Sequence, residues 1–292
     1  MISLSYQARK FTYILQSFRT LRRMGATKAS LSHLERTAEE PRDDSLHRVK
    51  IDKIEQVNET FLPGQWLDVH VPDLPKPGGF TITSPPSLAK RPTSSIELAI
   101  QASSSNPAAA YLWRSEADIL GSELAIRVGG SFTWPPTFYG KEIERVVFVA
   151  GGVGINPLMA MLSHISEVYE KVPFEIMVLY SFKYSQRPVQ VEEILFLRRL
   201  WGLDKRFSGE WLRLFVTGNS EQGLIKDKQK VMSFESRRMA VDDVLKALGP
   251  IEARQNIVCY VCGVPNMTDQ LVDVLKNAEG MDKRHVICER WW

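Results

Sequence analysis

The stretch Val146 to Leu158, VVFVAGGVGINPL, holds the residues whose types and spacing most directly suggest chemistry. An apolar run of strand character enters a turn at Gly151-Gly152-Val153-Gly154 and leaves through Ile155-Asn156-Pro157 into a helical pattern. The three glycines let the backbone turn tightly and present its N–H groups without side-chain obstruction. Pro157 falls where a first helical turn tolerates a missing N–H. Leu158, Met161, Leu162 and Ile165 then recur at helical spacing and supply an apolar face. Strand, glycine turn and helix N-terminus together make a seat for a pyrophosphate. The αβ units that follow favour a dinucleotide site over plain turn chemistry.

Other constellations fall away on spacing. Cys259 and Cys262 form a C-x-x-C, but on a strand that offset points them to opposite faces, which argues against a redox pair. His33, His47, His70, His164 and His285 lack metal-ligand spacing, and no metal is expected. No Gly-x-Ser-x-Gly elbow is present, which argues against a hydrolase. Three cysteines fall short of the four thiolates of an iron–sulfur cluster.

The elements that must position the glycine turn divide the chain into two halves of different pattern. From Leu46 to about Gly140 the pattern is short strands and turns: His47–Val57, Trp66–Val71, Phe80–Ser84, Ile96–Ala102 and Glu123–Val128, with a short helix between Pro107 and Arg114. Strands this short and close predict a small antiparallel barrel. From Arg145 strands and helices alternate. Strands are predicted at Arg145–Ala150, Phe174–Ser181, Leu212–Thr217, Ile257–Cys262 and Arg284–Cys288. Helices are predicted at Pro157–Glu170, Val191–Trp201, Val241–Leu248 and Pro265–Ala278. That is a doubly wound parallel sheet. Ser220 to Arg238 shows no clear period and reads as a surface insertion. The predicted organisation is a basic leader at 1–42, a barrel at 43–142 and an α/β domain at 143–292.

A hydrophobic content of 44% against 24% charged residues is that of a globular chain, not a disordered one. No apolar run approaches the length of a membrane span. Three cysteines and no secretory signal fit a reducing compartment. The net charge of +3 is unevenly spread: residues 1 to 34 carry six basic and no acidic residues, so the remainder carries −3. The body therefore gives no sign of nucleic-acid binding. Phe11, Ile14, Leu15, Phe18 and Leu21 fall on one helical face of that leader, with Arg22 intruding. An acid-poor, arginine-bearing, amphipathic start reads as a mitochondrial presequence, the alternative being a disordered basic tail.

A small barrel followed by an α/β nucleotide domain resembles the ferredoxin–NADP reductase superfamily over most of Leu46 to Trp292. Gly151 to Pro157 resembles its pyridine-nucleotide loop. Cys262-Gly263, followed by Pro265 and Met267, resembles its strand-end motif beside the nicotinamide. Gly129-Gly130-Ser131-Phe132 resembles the glycine turn that closes its barrel, and Glu289-Arg290-Trp291-Trp292 its acidic, aromatic C-terminus. Within the superfamily the chain is most similar to the oxidoreductase NAD-binding domain-containing protein 1 group, whose members are linked to mitochondria. The resemblance implies hydride transfer between NAD(P)H and a bound flavin, FAD or the shorter FMN, and then electron transfer to an unidentified acceptor. It places Cys262 and Gly263 at the nicotinamide, Thr81 beside the flavin, and a terminal tryptophan such as Trp292 over the ring, where an indole can cover a flat surface.

The flavin half departs from the superfamily pattern. Its Arg-x-Tyr-Ser/Thr motif reads Gly78-Gly79-Phe80-Thr81 here, followed by Ile82-Thr83-Ser84. Thr81 keeps the hydroxyl and Phe80 the ring, but the phosphate-binding arginine is absent. Arg91 or Arg127 could substitute, flavin could bind weakly or as FMN, or the site could have decayed and left a non-enzymatic nucleotide-binding regulatory or assembly protein. Gly218-Asn219-Ser220-Glu221, after the strand Leu212–Thr217, carries an acid and no cation, which favours NAD(H) over NADP(H) unless Arg237 and Arg238 fold back.

Overall fold

A computed structural model describes residues 27–35, 46–52, 61–90, 95–137, 142–184, 189, 191–207, 209–218, 223–227 and 230–290. Its first half is an antiparallel sheet of six short strands: β1 (Thr27–Glu35), β2 (Leu46–Asp52), β3 (Trp66–His70), β4 (Gly78–Thr81), β5 (Ser95–Gln101) and β6 (Glu123–Gly129). They lie in the order β4-β3-β6-β1-β2-β5. A bridge between Ile82 and Leu98 joins the two outer strands and closes the sheet into a barrel. Leu67, Val69, Ile82, Leu98, Ile100, Leu124 and Ile126 fill the interior. Three short helices, α1 (Pro86–Ala89), α2 (Pro107–Leu112) and α3 (Glu116–Ile119), connect the strands. Ala108, Ala109, Tyr111 and Leu112 of α2 join the same core.

The second half has a fully parallel sheet ordered β13-β12-β7-β8-β9. Its strands are β7 (Arg145–Gly151), β8 (Glu175–Lys183), β9 (Leu212–Thr217), β12 (Ile257–Cys262) and β13 (Val286–Glu289). Alternation along each strand sends side chains to two separate layers. Val146, Phe148, Val178 and Tyr180 pack with α4 (Ile155–Val168) and α5 (Leu197–Gly202). Val147, Val149, Leu179 and Val261 pack with α6 (Val241–Leu248) and α7 (Pro265–Asn277). Cys259 lies in one layer and Cys262 in the other, and both thiols are free.

Three expectations change. Thr27–Glu35, inside the stretch read as leader, pairs with β2 and β6, so the barrel begins at residue 27 rather than 43. Its sequence alternates only weakly, with Ala29, Leu31 and Leu34 scattered among polar residues, and it follows a helical pattern closely. Residues 1–26, which keep five of the six basic residues, lie outside the described residues. The predicted insertion Ser220–Arg238 contains a hairpin, β10 (Gly223–Asp227) with β11 (Lys230–Phe234). Ile225 and Phe234 enter the core, and the backbone of Glu235 exchanges hydrogen bonds with Leu214 and Val216 of β9. One buried residue between exposed neighbours, as at Leu224-Ile225-Lys226, is too short a pattern to read. The predicted helix Val191–Trp201 is broken: a turn at Val191–Glu193 precedes α5, and Phe196 between them sits at φ 62°. A buried aromatic in the left-handed region has no sequence signal.

Candidate active site

The order β13-β12-β7-β8-β9 reverses direction between β7 and β12, and ligands of such sheets sit at the carboxyl ends of the strands there. Gly151 to Gly154 leave β7 at that point, and Cys262-Gly263 leave β12 beside them. The two turns touch. A Cβ on Gly154 would collide with the Cys262 carbonyl, and one on Gly151 would lie 2.7 Å from the Met267 methyl. Met267 thus packs against both turns and is not among the residues that line the cleft. Gly152 is different: its φ is +54°, and an added Cβ would meet nothing within 4 Å. The helix that follows, α4, has no side-chain cap, but its first donors are few: the Ile155 N–H is held by the Gly152 and Val153 carbonyls, and Pro157 has no N–H.

These turns form one wall of a cleft of about 700 Å³ between the domains, a volume suited to a small-molecule ligand. The barrel wall is Gly79, Phe80, Thr81, Ala99 to Gln101, Ser103, Asn106 and Ala109. Asn156, at the start of α4, ties the walls together: its Nδ2 donates to the Ala99 carbonyl at 3.0 Å. Its Oδ1 is buried with no partner, an acceptor left for an N–H at the cleft wall. An ion pair between Arg199 of α5 and Glu97 of β5 (2.6 Å) also joins the domains. Tyr260 adds a third tie by donating to the Thr133 carbonyl at 2.8 Å.

Comparison with known proteins places this arrangement. No family model matches the chain. It is 28% identical over 287 residues to oxidoreductase NAD-binding domain-containing protein 1 of Xenopus laevis, covering 93% of this chain and 87% of that one. It is 30% identical over 239 residues to the Homo sapiens protein of the same name, covering 80% and 71%. The chain belongs to the oxidoreductase NAD-binding domain-containing protein 1 family. Its fold is that of the two-domain ferredoxin–NADP reductases. A Neisseria gonorrhoeae ferredoxin NADP+ reductase solved with FAD and NADP aligns with TM-score 0.61 and 14% identity, over 91% of this chain and 99% of that one.

In this member of the oxidoreductase NAD-binding domain-containing protein 1 family, the cleft gathers part of the predicted set. Phe80, Thr81, Gly151, Gly152, Val153, Gly154, Asn156, Cys262 and Gly263 line it. Ile82 is barrel core, and the Thr83 hydroxyl donates to the Glu97 carbonyl at 3.0 Å. Ile155 and Pro157 are buried in the base of α4. Gly129 and Gly130 lie under the Trp66 indole, away from the cleft, with Ser131 exposed beyond them. Trp292 and Arg91 lie outside the described residues. Phe80 belongs to the barrel core and is only 8% exposed, so it offers the cleft little ring surface on which a flavin could stack. Arg127 is held by Asp68 on the neighbouring strand and does not line the cleft.

The sequence pattern missed Asn106, Lys183 and Glu193, which also line the cleft. Lys183 ends β8 and Glu193 follows it, so the strand after the glycine turn supplies the charged groups, whereas Gly218 after β9 does not line the cleft. The rule that ligands meet the carboxyl ends of central strands points to Lys183 once β8 is extended by two residues. Glu193 Oε2 is buried without a hydrogen-bond partner. Burial pushes the Cys262 thiol up to about 12, with Glu289 and Cys288 adding to the effect, so it stays protonated and is no nucleophile. Burial also raises Glu289, beside it on β13, to about 7. A nicotinamide dinucleotide fits the open Gly152 turn at the start of α4. A flat flavin ring fits beside Thr81, where Gly79, Ala99 and Ala109 leave a wall of small residues.

Proposed function

We propose that this protein is an NAD(P)H-dependent flavin oxidoreductase that passes electrons from nicotinamide through flavin to a separate acceptor. One observation carries the reading: the glycine turn, the Cys262-Gly263 strand end and Thr81 line a single cleft, which brings both half-sites within one volume. When bound, nicotinamide and flavin supply a two-electron hydride transfer, and the protein's task is to hold the two rings together. The turn at Gly152 and the start of α4 would seat the dinucleotide phosphates. Cys262 and Gly263 would border the nicotinamide with a neutral thiol and a bare backbone. Thr81 would offer its hydroxyl to the flavin ring. The Asn156 and Arg199 contacts hold the walls in register, which is the entropic part of catalysis.

NAD(H) is the preferred nucleotide in this reading. Glu193 brings negative charge to the cleft and Arg237 is bound to Glu235 and Asp243, so it is not available to a 2′-phosphate. Lys183 is the cation among the described lining residues. We propose further that residues 1–26 form a mitochondrial address, since they are basic, acid-free and amphipathic. The test of function is NADH oxidation with and without added flavin. Flavin-dependent oxidation, faster with NADH than with NADPH, is expected. NADH binding without any flavin-dependent turnover would favour the regulatory reading, which gains some support from the space at Gly78 being filled.

A further inference from the structure

We infer that the barrel half of the cleft seats a flavin ring but offers no seat for flavin phosphates among its described residues, so that flavin is an exchangeable ligand rather than a resident prosthetic group. The inference rests on the flavin reading above and specifies the class of flavin that site takes. Three observations carry it.

The position where a phosphate-binding arginine would stand is closed as well as vacant. A Cβ on Gly78 would lie 2.7 Å from the Ala108 Cβ and 2.7 Å from the Phe80 ring. Helix α2 and the inward-turned Phe80 occupy the space such a side chain would need. The second observation concerns backbone donors. Asn106 precedes α2 and lines the cleft. Its Oδ1 accepts hydrogen bonds from the N–H groups of Ala108 (3.1 Å) and Ala109 (3.2 Å), and Pro107 has no N–H. The Ala108 and Ala109 donors at that end of the helix are therefore already used. The third concerns charge. Arg127 is the described cation nearest in register to Gly79, since Asp68 of β3 pairs with Gly79 on one side and Arg127 on the other. Arg127 Nε donates to Asp68 Oδ2 at 2.9 Å, and Asp68 is nearly buried. Recruiting Arg127 to a phosphate would strand that carboxylate without its partner. Lys183, the cation among the described lining residues, stands on the opposite wall.

A flavin held without phosphate contacts binds through its ring alone. Riboflavin, FMN and FAD should then bind alike, and salt should matter little, since no phosphate–cation pair is there to be screened. The test is titration of each of the three flavins into the full-length protein, read by flavin fluorescence, at low and high ionic strength. Dissociation constants within about threefold of one another, and within about twofold across the salt range, are the expected result. FMN or FAD binding tenfold or more tightly than riboflavin would overturn this inference and leave the oxidoreductase reading intact. Binding of none of the three would overturn both. A flavin that survives exhaustive dialysis on the purified protein would also overturn it.

Discussion

Replacing Gly152 by valine separates binding from folding. At φ +54° an L-residue costs about 1–2 kcal/mol relative to glycine. A domain of this size loses about 2–4 °C per kcal/mol, so the melting temperature should fall by about 2–8 °C. No protein atom lies within 4 Å of the added Cβ, so no collision adds to that strain. The new side chain instead projects into the cleft, where dinucleotide phosphates must approach the backbone. Losing two charge-assisted hydrogen bonds removes about 3 kcal/mol or more, which is about a hundredfold or more in Kd. Gly154→Ala is the contrasting variant: its Cβ would collide with the Cys262 carbonyl, so it should unfold the turn and lower stability more than Gly152→Val does. Calorimetric titration of NADH alongside thermal melts checks both. NADH affinity within threefold of wild type in a folded Gly152→Val protein would refute the assignment of the turn as the phosphate seat.

Further expectations rest on other residues. Glu289 binds its proton more tightly folded than unfolded, because burial raises it from 4.5 to about 7. Its contribution to stability is therefore full below about 4.5 and is lost as pH rises towards 7, and Glu289→Gln should flatten that fall in melting temperature. Asn106→Ala should free the Ala108 and Ala109 donors and tighten FMN relative to riboflavin by up to about tenfold, one charge-assisted hydrogen bond. An unchanged ratio in flavin titrations would mean the cap is not what withholds them. Glu193→Gln should narrow the preference for NADH over NADPH, read as the ratio of their dissociation constants. Fusing residues 1–26 to a fluorescent reporter should direct it to mitochondria, and replacing Arg19, Arg22 and Arg23 with glutamate should leave it in the cytosol.

The fold was legible where a strong local pattern coincided with a buried element. β7, β12 and α7 carry long apolar runs or clear helical spacing, and the sequence placed them within a residue or two. The glycine turn was legible because close backbone approach admits only glycine, as the collisions at Gly151 and Gly154 show. β1 was not, because its few apolar residues follow a helix-like basic segment and its place depends on partners far along the chain. Phe196 and the hairpin at Gly223–Phe234 escaped for the same reason: tertiary contacts, not local propensity, decide them. At the cleft, the sequence motifs named more of the lining residues on the α/β wall (Gly151 to Gly154, Asn156, Cys262 and Gly263) than on the barrel wall (Phe80 and Thr81). The superfamily pattern assigns Phe80 a stacking role, yet the missing side chain at Gly78 lets that ring turn inward. Lys183 and Glu193 carry no motif and matter only because β8 ends at the cleft.

In the proposed function, nicotinamide and flavin exchange hydride inside the cleft between the two domains. Its most direct test is an anaerobic single-turnover experiment with full-length protein and added flavin, following loss of the oxidised flavin's visible absorbance after mixing with NADH. Bleaching that requires the protein, slows when the transferred hydrogen at nicotinamide C4 is deuterium, and disappears in Gly152→Val is the predicted result. Protein that binds both NADH and flavin yet leaves the absorbance unchanged would contradict the account.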